Sequence, residues 1–199
     1  MGPIRLIKLG GSLITDKRGE RQARTEVIER LAGEIAELRR EVGGDWIVGH
    51  GSGSFGHVEA RRHRVHEGVR AADQLPGVAA TADEAARLHR LVVGALRAAG
   101  ESPWSFAPSS ALVAAGGEPA ELAIEPLRRA VDLGLLPVVY GDVVMDRERG
   151  CAICSTETLF VTLVAALQER GRIVERVYWL GETDGIFDAE GATIPEVGS

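Results

Sequence analysis

Four short apolar runs in this chain each lead into a glycine turn, and that pattern limits the folds available to it. Residues 4–9 lead into Gly10-Gly11, and residues 45–49 into the stretch His50 to His57, which holds Gly51, Gly53 and Gly56. Residues 136–140 end at Gly141-Asp142, and residues 174–180 run into Gly181 to Gly185. Between these runs the apolar spacing becomes helical, at residues 25–42, 81–99, 109–115, 126–133 and 155–170. Strand and helix alternating from end to end predict an α/β fold with a mostly parallel central sheet. A further short strand is expected at residues 104–107. Residues 58–80 are polar, rich in Arg and His and weakly periodic, so they predict a helix start and then a mobile loop. In a parallel sheet the strand ends that carry the glycines lie along one edge, where ligands bind.

Composition narrows the ligand. The 199 residues carry a formal net charge of −6, which argues against a general nucleic-acid binder, whose surface must be basic. A small anion needs only local positive charge. No apolar run approaches the ~20 residues that span a bilayer. The N-terminus enters a strand pattern at once without a basic and then apolar leader, so a cytoplasmic protein is expected. Lys and Arg total 23, yet lysine occurs only at Lys8 and Lys17, both beside the first glycine pair. A compact ammonium on a flexible stem is a different tool from a planar guanidinium, and this placement points to a use for it.

Glycine lets the backbone come within hydrogen-bonding range of phosphate oxygens, and a following helix N-terminus adds unpaired N–H groups. Two such turns with Lys8, Lys17 and His57 nearby suggest a polyphosphate site. Gly51-x-Gly53-x-x-Gly56 matches a dinucleotide fingerprint in isolation, but it follows the second strand and lacks the acidic residue ending a later one. No Walker-type Gly-x-x-x-x-Gly-Lys-Ser/Thr pattern is present. Cys151 and Cys154 form a Cys-x-x-Cys pair with no second pair to complete a zinc site, and they read as small residues of a cytosolic protein. His63, His66 and His89 read as structural or surface residues.

Lys8-Leu9-Gly10-Gly11-Ser12 resembles the opening motif of the amino acid kinase superfamily. Ile14-Thr15-Asp16-Lys17 and Ser54-Phe55-Gly56-His57 narrow the resemblance to isopentenyl phosphate kinases and their fosfomycin kinase relatives. Residues 137–144 and 185–188 fit the same family in the same order. The resemblance implies a three-layer αβα sandwich, with an acceptor-binding part at residues 1–135 and a nucleotide-binding part at residues 136–199. It implies that Lys8 and the Gly10-Gly11 backbone hold the transferring phosphoryl group, with Ser12 alongside, and that Lys17 neutralises charge in the transition state. His57 would bind the acceptor phosphate with the backbone at Ser52 and Gly53. Gly141, Asp142 and Thr156 would complete the acceptor side. Gly53, Glu182, Asp184 and Gly185 would contact the nucleotide. The implied cofactors are ATP and Mg²⁺, and the implied assembly is a homodimer. The acceptor's apolar tail would lie between the helix at 81–99 and the region after Gly56, with Val92, Val93 and Leu96 along it.

The sequence departs from the family pattern in two places. Ser155-Thr156-Glu157 stands where many relatives have Ser-Gly-Asp, so Glu157 is either a longer carboxylate orienting the lysines or a plain helix cap. Glu182-Thr183-Asp184-Gly185 replaces a Thr-Asp-x-Asp-Gly-like nucleotide loop. Relatives also continue for several tens of residues, through a Gly-Met pair and a late lysine, so the nucleotide half is expected to be incomplete. Two alternatives to an isopentenyl phosphate kinase stay open: a fosfomycin-type phosphonate kinase, and a non-catalytic ligand-binding member.

Overall fold

The computed structural model describes residues 2–16, 19, 21–183, 185, 190 and 192–193. In chain order the elements are β1 (Ile4–Leu9), α1 (Gly11–Ile14), α2 (Thr25–Val42), β2 (Asp45–His50), α3 (Gly53–Arg62), α4 (Leu75–Ala98), β3 (Pro103–Ser105), α5 (Pro108–Ala111), β4 (Leu112–Ala115), β5 (Glu118–Leu122), α6 (Glu125–Asp132), β6 (Leu136–Tyr140), β7 (Asp142–Asp146), β8 (Gly150–Cys154), α7 (Thr156–Gln168) and β9 (Val174–Leu180). Two 3₁₀ turns, Val65–Glu67 and Ala72–Gln74, lie between α3 and α4.

Five strands form the central sheet in the order β3-β6-β2-β1-β9, and every neighbouring pair in it is parallel. Strand alternation divides the core between its faces. Ile4, Leu6, Ile47 and Val139 point toward α6 and α7, where they meet Leu127, Val131, Leu159 and Leu163. Ile7, Leu9, Trp46, Val48 and Val138 point the other way, onto Ile28, Leu31 and Ile35 of α2 and Leu88 and Val92 of α4. The result is the expected three-layer αβα sandwich with a mostly parallel central sheet. A second sheet, β5-β4-β7-β8, is mixed: β4 and β7 run parallel, while β4–β5 and β7–β8 are antiparallel hairpins.

Two sequence expectations change, and one hairpin is new. Residues 109–115 are not one helix, because the chain leaves α5 after Ala111 and pairs as β4 with β5. Gly116 and Gly117, at φ 64° and 98°, make the left-handed two-residue turn that joins them. The β7–β8 hairpin was not anticipated. Asp146 at the end of β7 ties the two hairpins together, since its carboxylate accepts from the N–H groups of Gly116, Gly117, Glu148 and Arg149. The stretch expected as a loop before residue 81 is largely ordered structure. Val65 is buried against Val143 and Cys151, and α4 already starts at Leu75 with Pro76 in its first turn, where a missing N–H costs nothing. The Gln74 side chain accepts from the N–H groups of Arg70 and Ala71 just before it.

Candidate active site

The C-terminal ends of β9, β1, β2 and β6 open onto one cleft of about 1570 Å³. Its lining includes the anticipated phosphate- and nucleotide-site residues that the structure describes: Lys8, Gly10, Gly11 and Ser12 after β1; Ser52, Gly53 and His57 after β2; Gly141 and Asp142 after β6; Thr156 and Glu157 at the start of α7; and Glu182 and Gly185 after β9. Lys17 and Asp184 lie outside the described residues.

Two glycine loops form the floor, and they touch backbone to backbone. A Cβ on Gly11 would stand 2.7 Å from the Gly53 nitrogen, and one on Gly51 would stand 2.8 Å from the Gly11 nitrogen. Gly53 has φ +51°, and a side chain there would also strike the Thr15 hydroxyl at 2.2 Å. That hydroxyl joins the loops, donating to the Gly11 carbonyl at 2.7 Å and accepting from the Ser54 N–H at 3.0 Å. Strand-end bonds fix the loops from behind: Gly10 N–H donates to Leu180 O at 2.7 Å, Gly51 N–H to Leu9 O and Gly141 N–H to His50 O, both at 3.0 Å. Leu13 and Phe55 N–H bond the Gly10 and Ser52 carbonyls and Ser54 N–H bonds Thr15, so the donors these two loops can present side by side are the N–H groups of Gly11, Ser12 and Gly53.

The charged groups stand around this floor. Lys8 is ion-paired with Glu157, and its ammonium sits 5.7 Å from the ring centroid of Trp179. Burial raises the Glu157 pKa, but the Lys8 hydrogen bond and charge, the residue's own backbone N–H and Ser155 together outweigh it and hold the carboxyl below its usual range. Ser155 caps α7 by accepting from the Thr158 N–H at 3.0 Å, so capping belongs to Ser155 and leaves Glu157 for Lys8. His57 projects from α3 into the cleft; the desolvating walls and then Arg61 lower its pKa, against the pull of Glu157. Asp142 lines the cleft with its carboxylate already engaged, accepting from the N–H groups of Ser109 at 3.2 Å and Val143 at 2.8 Å. Burial raises its pKa despite those bonds. The Thr156 hydroxyl turns inward and donates to His50 O at 2.7 Å. Glu182 forms an ion pair with Arg24 at 2.7 Å.

One wall is apolar, formed by Val58, Ala60, Ala85, Val143 and Ile153. It meets α4 at Thr81 and Ala85, which corrects the expectation for Val92, Val93 and Leu96. Those three lie farther along α4, packed into the core beneath the sheet. Arg61, Arg62, Thr15 and Trp179 also line the cleft and were not singled out from sequence. Arg61 follows His57 by four residues on one helix, a spacing that places both on one face. Cys151 and Cys154 are buried free thiols on β8, and burial pushes the Cys154 thiol up to about 12.

The amino acid kinase family model matches residues 3–197. The isopentenyl phosphate kinase of Methanothermobacter thermautotrophicus is 35% identical over 149 residues, covering 72% of this chain and 55% of that protein. The isopentenyl phosphate kinase of Haloferax volcanii is 32% identical over 195 residues, covering 96% of this chain and 74% of that protein. The chain thus spans between about half and three quarters of the length of these relatives. An X-ray structure of an isopentenyl phosphate kinase superposes with a TM-score of 0.83 at 31% identity, over 92% of this chain and 74% of the other. A substrate complex of such a kinase gives 0.79 at 29% identity, over 92% and 72%.

Proposed function

The chain belongs to the amino acid kinase family, and on that premise we propose that its cleft serves ATP-dependent phosphorylation of isopentenyl phosphate, giving isopentenyl diphosphate for isoprenoid synthesis. The observation that carries this reading is the backbone contact between Gly11 and Gly53. Two phosphate cradles in van der Waals contact suit a reaction that brings two phosphates together in line. An acceptor phosphate oxygen bonds to the γ-phosphorus, the bridge to the β-phosphate breaks, and ADP leaves. Such a reaction is governed by positioning and charge neutralisation.

In this reading Lys8 and the Gly10–Ser12 backbone hold the transferring group, and Glu157 holds Lys8 in place. Lys17 adds charge neutralisation in the transition state. His57 and the Ser52–Gly53 backbone hold the acceptor phosphate, and the peptide groups around Gly141, Asp142 and Thr156 close that side. Glu182, Asp184 and Gly185 serve nucleotide binding. Residues 1–135 then supply most of the acceptor side and residues 136–199 most of the nucleotide side. Among the described residues no group of three His, Cys, Asp or Glu side chains is arranged to hold a metal. Mg²⁺ enters this reading carried by the nucleotide phosphates, where it neutralises charge. A cytoplasmic homodimer completes the proposal; among the described residues, no helix is long and apolar enough to cross a membrane.

The apolar wall of Val58, Ala60, Ala85, Val143 and Ile153 favours an alkyl tail over the small polar body of fosfomycin. An ADP-release assay with isopentenyl phosphate, fosfomycin and isopentenol as acceptors tests this. Turnover with isopentenyl phosphate alone supports the reading. Turnover with fosfomycin alone replaces it with a phosphonate kinase, and no turnover with any acceptor points to a non-catalytic ligand-binding protein.

A further inference from the structure

Behind the acceptor side of the cleft runs a chain of polar side chains that the reaction above does not use. His50 ends β2 fully buried, and His89 on α4 is 4% exposed. His50 Nδ1 lies 3.1 Å from the Gly51 carbonyl oxygen, His50 Nε2 lies 3.0 Å from His89 Nδ1, and His89 Nε2 lies 2.6 Å from Ser105 Oγ. Tyr140 stacks on both rings, with centroids 5.7 Å from His50 and 4.2 Å from His89, and its hydroxyl bonds Asp142.

One proton arrangement satisfies every link. A carbonyl oxygen only accepts, so His50 Nδ1 carries a hydrogen. Burial pushes His50 down to about 4, and burial with the neighbouring His50 and Arg90 pushes His89 down to about 3, so both rings are neutral at pH 7. His50 Nε2 is then a bare acceptor, and its donor is His89 Nδ1–H. His89 Nε2 is bare in turn and accepts from the Ser105 hydroxyl. The opposite tautomer of either ring would set two lone pairs or two hydrogens face to face in a buried place.

The first link bears on the cleft. In a trans peptide the carbonyl and the following N–H point in opposite directions, and among the described residues no peptide bond is cis. A Gly51 carbonyl held inward by His50 therefore turns the Ser52 N–H outward, where Ser52 lines the cleft. We propose that His50 is a positioning residue, its Nδ1–H tautomer supported by the His89 donor at Nε2, which holds the Gly51–Ser52 peptide with its N–H presented to the acceptor phosphate. The inference rests on the acceptor site proposed above. Were this peptide to flip, a carbonyl oxygen would face the phosphate and repel it.

Nitrogen-detected NMR on histidine-labelled protein at pH 7 reads the tautomers directly, and both rings are expected neutral and in the Nδ1–H form. His89→Leu removes the donor to His50, whereas His89→Asn keeps an N–H near the Nδ1 place. In His89→Leu, the Nδ1–H form of His50 loses its supporting donor, and the Ser52 amide resonance is expected to shift. Isopentenyl phosphate should bind about 10- to 100-fold more weakly, as when a supporting hydrogen bond to a site group is removed. His89→Asn should restore the Ser52 amide resonance and most of the affinity. If His89→Leu does not fold, the wild-type tautomers and the asparagine variant decide the question. An Nε2–H His50 in the wild type would overturn the inference, and so would a Ser52 amide that does not respond. Should the tautomers and the Ser52 amide behave as stated while isopentenyl phosphate does not bind, the acceptor reading fails and the hydrogen-bond chain stands.

Discussion

Lys8, at the cleft end of β1, is ion-paired with Glu157 in the first turn of α7, a partner 149 positions away in sequence. The two sides of the pair are unlike: the Lys8 side chain is 12% exposed and the Glu157 side chain 55%. A carboxylate there also gains from the N-terminal end of the helix. Glu157→Gln should therefore cost under about 1 kcal/mol of stability, the range for an exposed pair. It should lower turnover far more, by about 10²-fold, since Lys8 loses its fixed position. Melting curves beside ADP-release rates check the split; equal loss in both would make Glu157 a structural residue.

The same pair sets a pH limit. The Glu157 pKa lies below its unfolded value, so its contribution is present above the ordinary carboxylate range and is lost as pH falls through the lowered folded value. The Lys8–Glu157 pair should stay intact through neutral and mildly acidic pH. Carbon-detected titration of the Glu157 carboxyl, with and without Lys8→Met, should show the lowering disappear in the variant.

His57 should couple acceptor binding to proton uptake. Desolvation and Arg61 lower its pKa in the free protein, and a phosphate anion beside it raises that pKa on binding. Acceptor affinity should thus rise as pH falls through the His57 titration, until the acceptor itself protonates near pH 6. His57→Ala should abolish that slope and raise the acceptor KM far more than the KM for ATP.

Glycine substitutions should separate the cleft floor from ordinary helix. Gly11→Ala forces a methyl to 2.7 Å from the Gly53 nitrogen, where only backbone could move, and should cost about 1–3 kcal/mol. Gly33, on α2, has open space where a Cβ would go, and Gly33→Ala should stabilise by about 0.4–1 kcal/mol. Urea unfolding of both variants checks the opposite signs.

Arg21 supplies a further test. It pairs with Glu59 at 2.6 Å and Glu84 at 3.2 Å, two carboxylates buried on α3 and α4. Burial raises the Glu59 pKa, but Arg21 and Arg62 more than reverse this, so its contribution is lost as pH falls through a lowered value. Arg21→Ala should lower stability by about 1–3 kcal/mol and move acid unfolding to higher pH.

Much of this was legible in the sequence, for identifiable reasons. The runs at 4–9 and 136–140 are buried strands bounded by glycine, and 25–42 has clean helical spacing, so periodicity alone places them. Glycines that end parallel strands meet on one edge, so the floor of the cleft could be anticipated without knowing any contact. The hairpins were not legible. Leu112–Ala115 is too short and alanine-rich to separate strand from helix, and the polar Glu118–Leu122 becomes a strand through its pairing with β4. Thr15 and His50 owe their roles to partners each 39 positions away, which no local pattern records. Val92, Val93 and Leu96 were misplaced because an apolar helical stripe does not reveal whether it faces core or ligand.

The most direct test is ³¹P NMR of the protein with ATP, Mg²⁺ and isopentenyl phosphate. The account predicts that the isopentenyl phosphate singlet gives way to the coupled doublets of a diphosphate monoester as ADP appears, which requires a new P–O–P bond at the acceptor. ATP loss to inorganic phosphate with the isopentenyl phosphate singlet unchanged would contradict it.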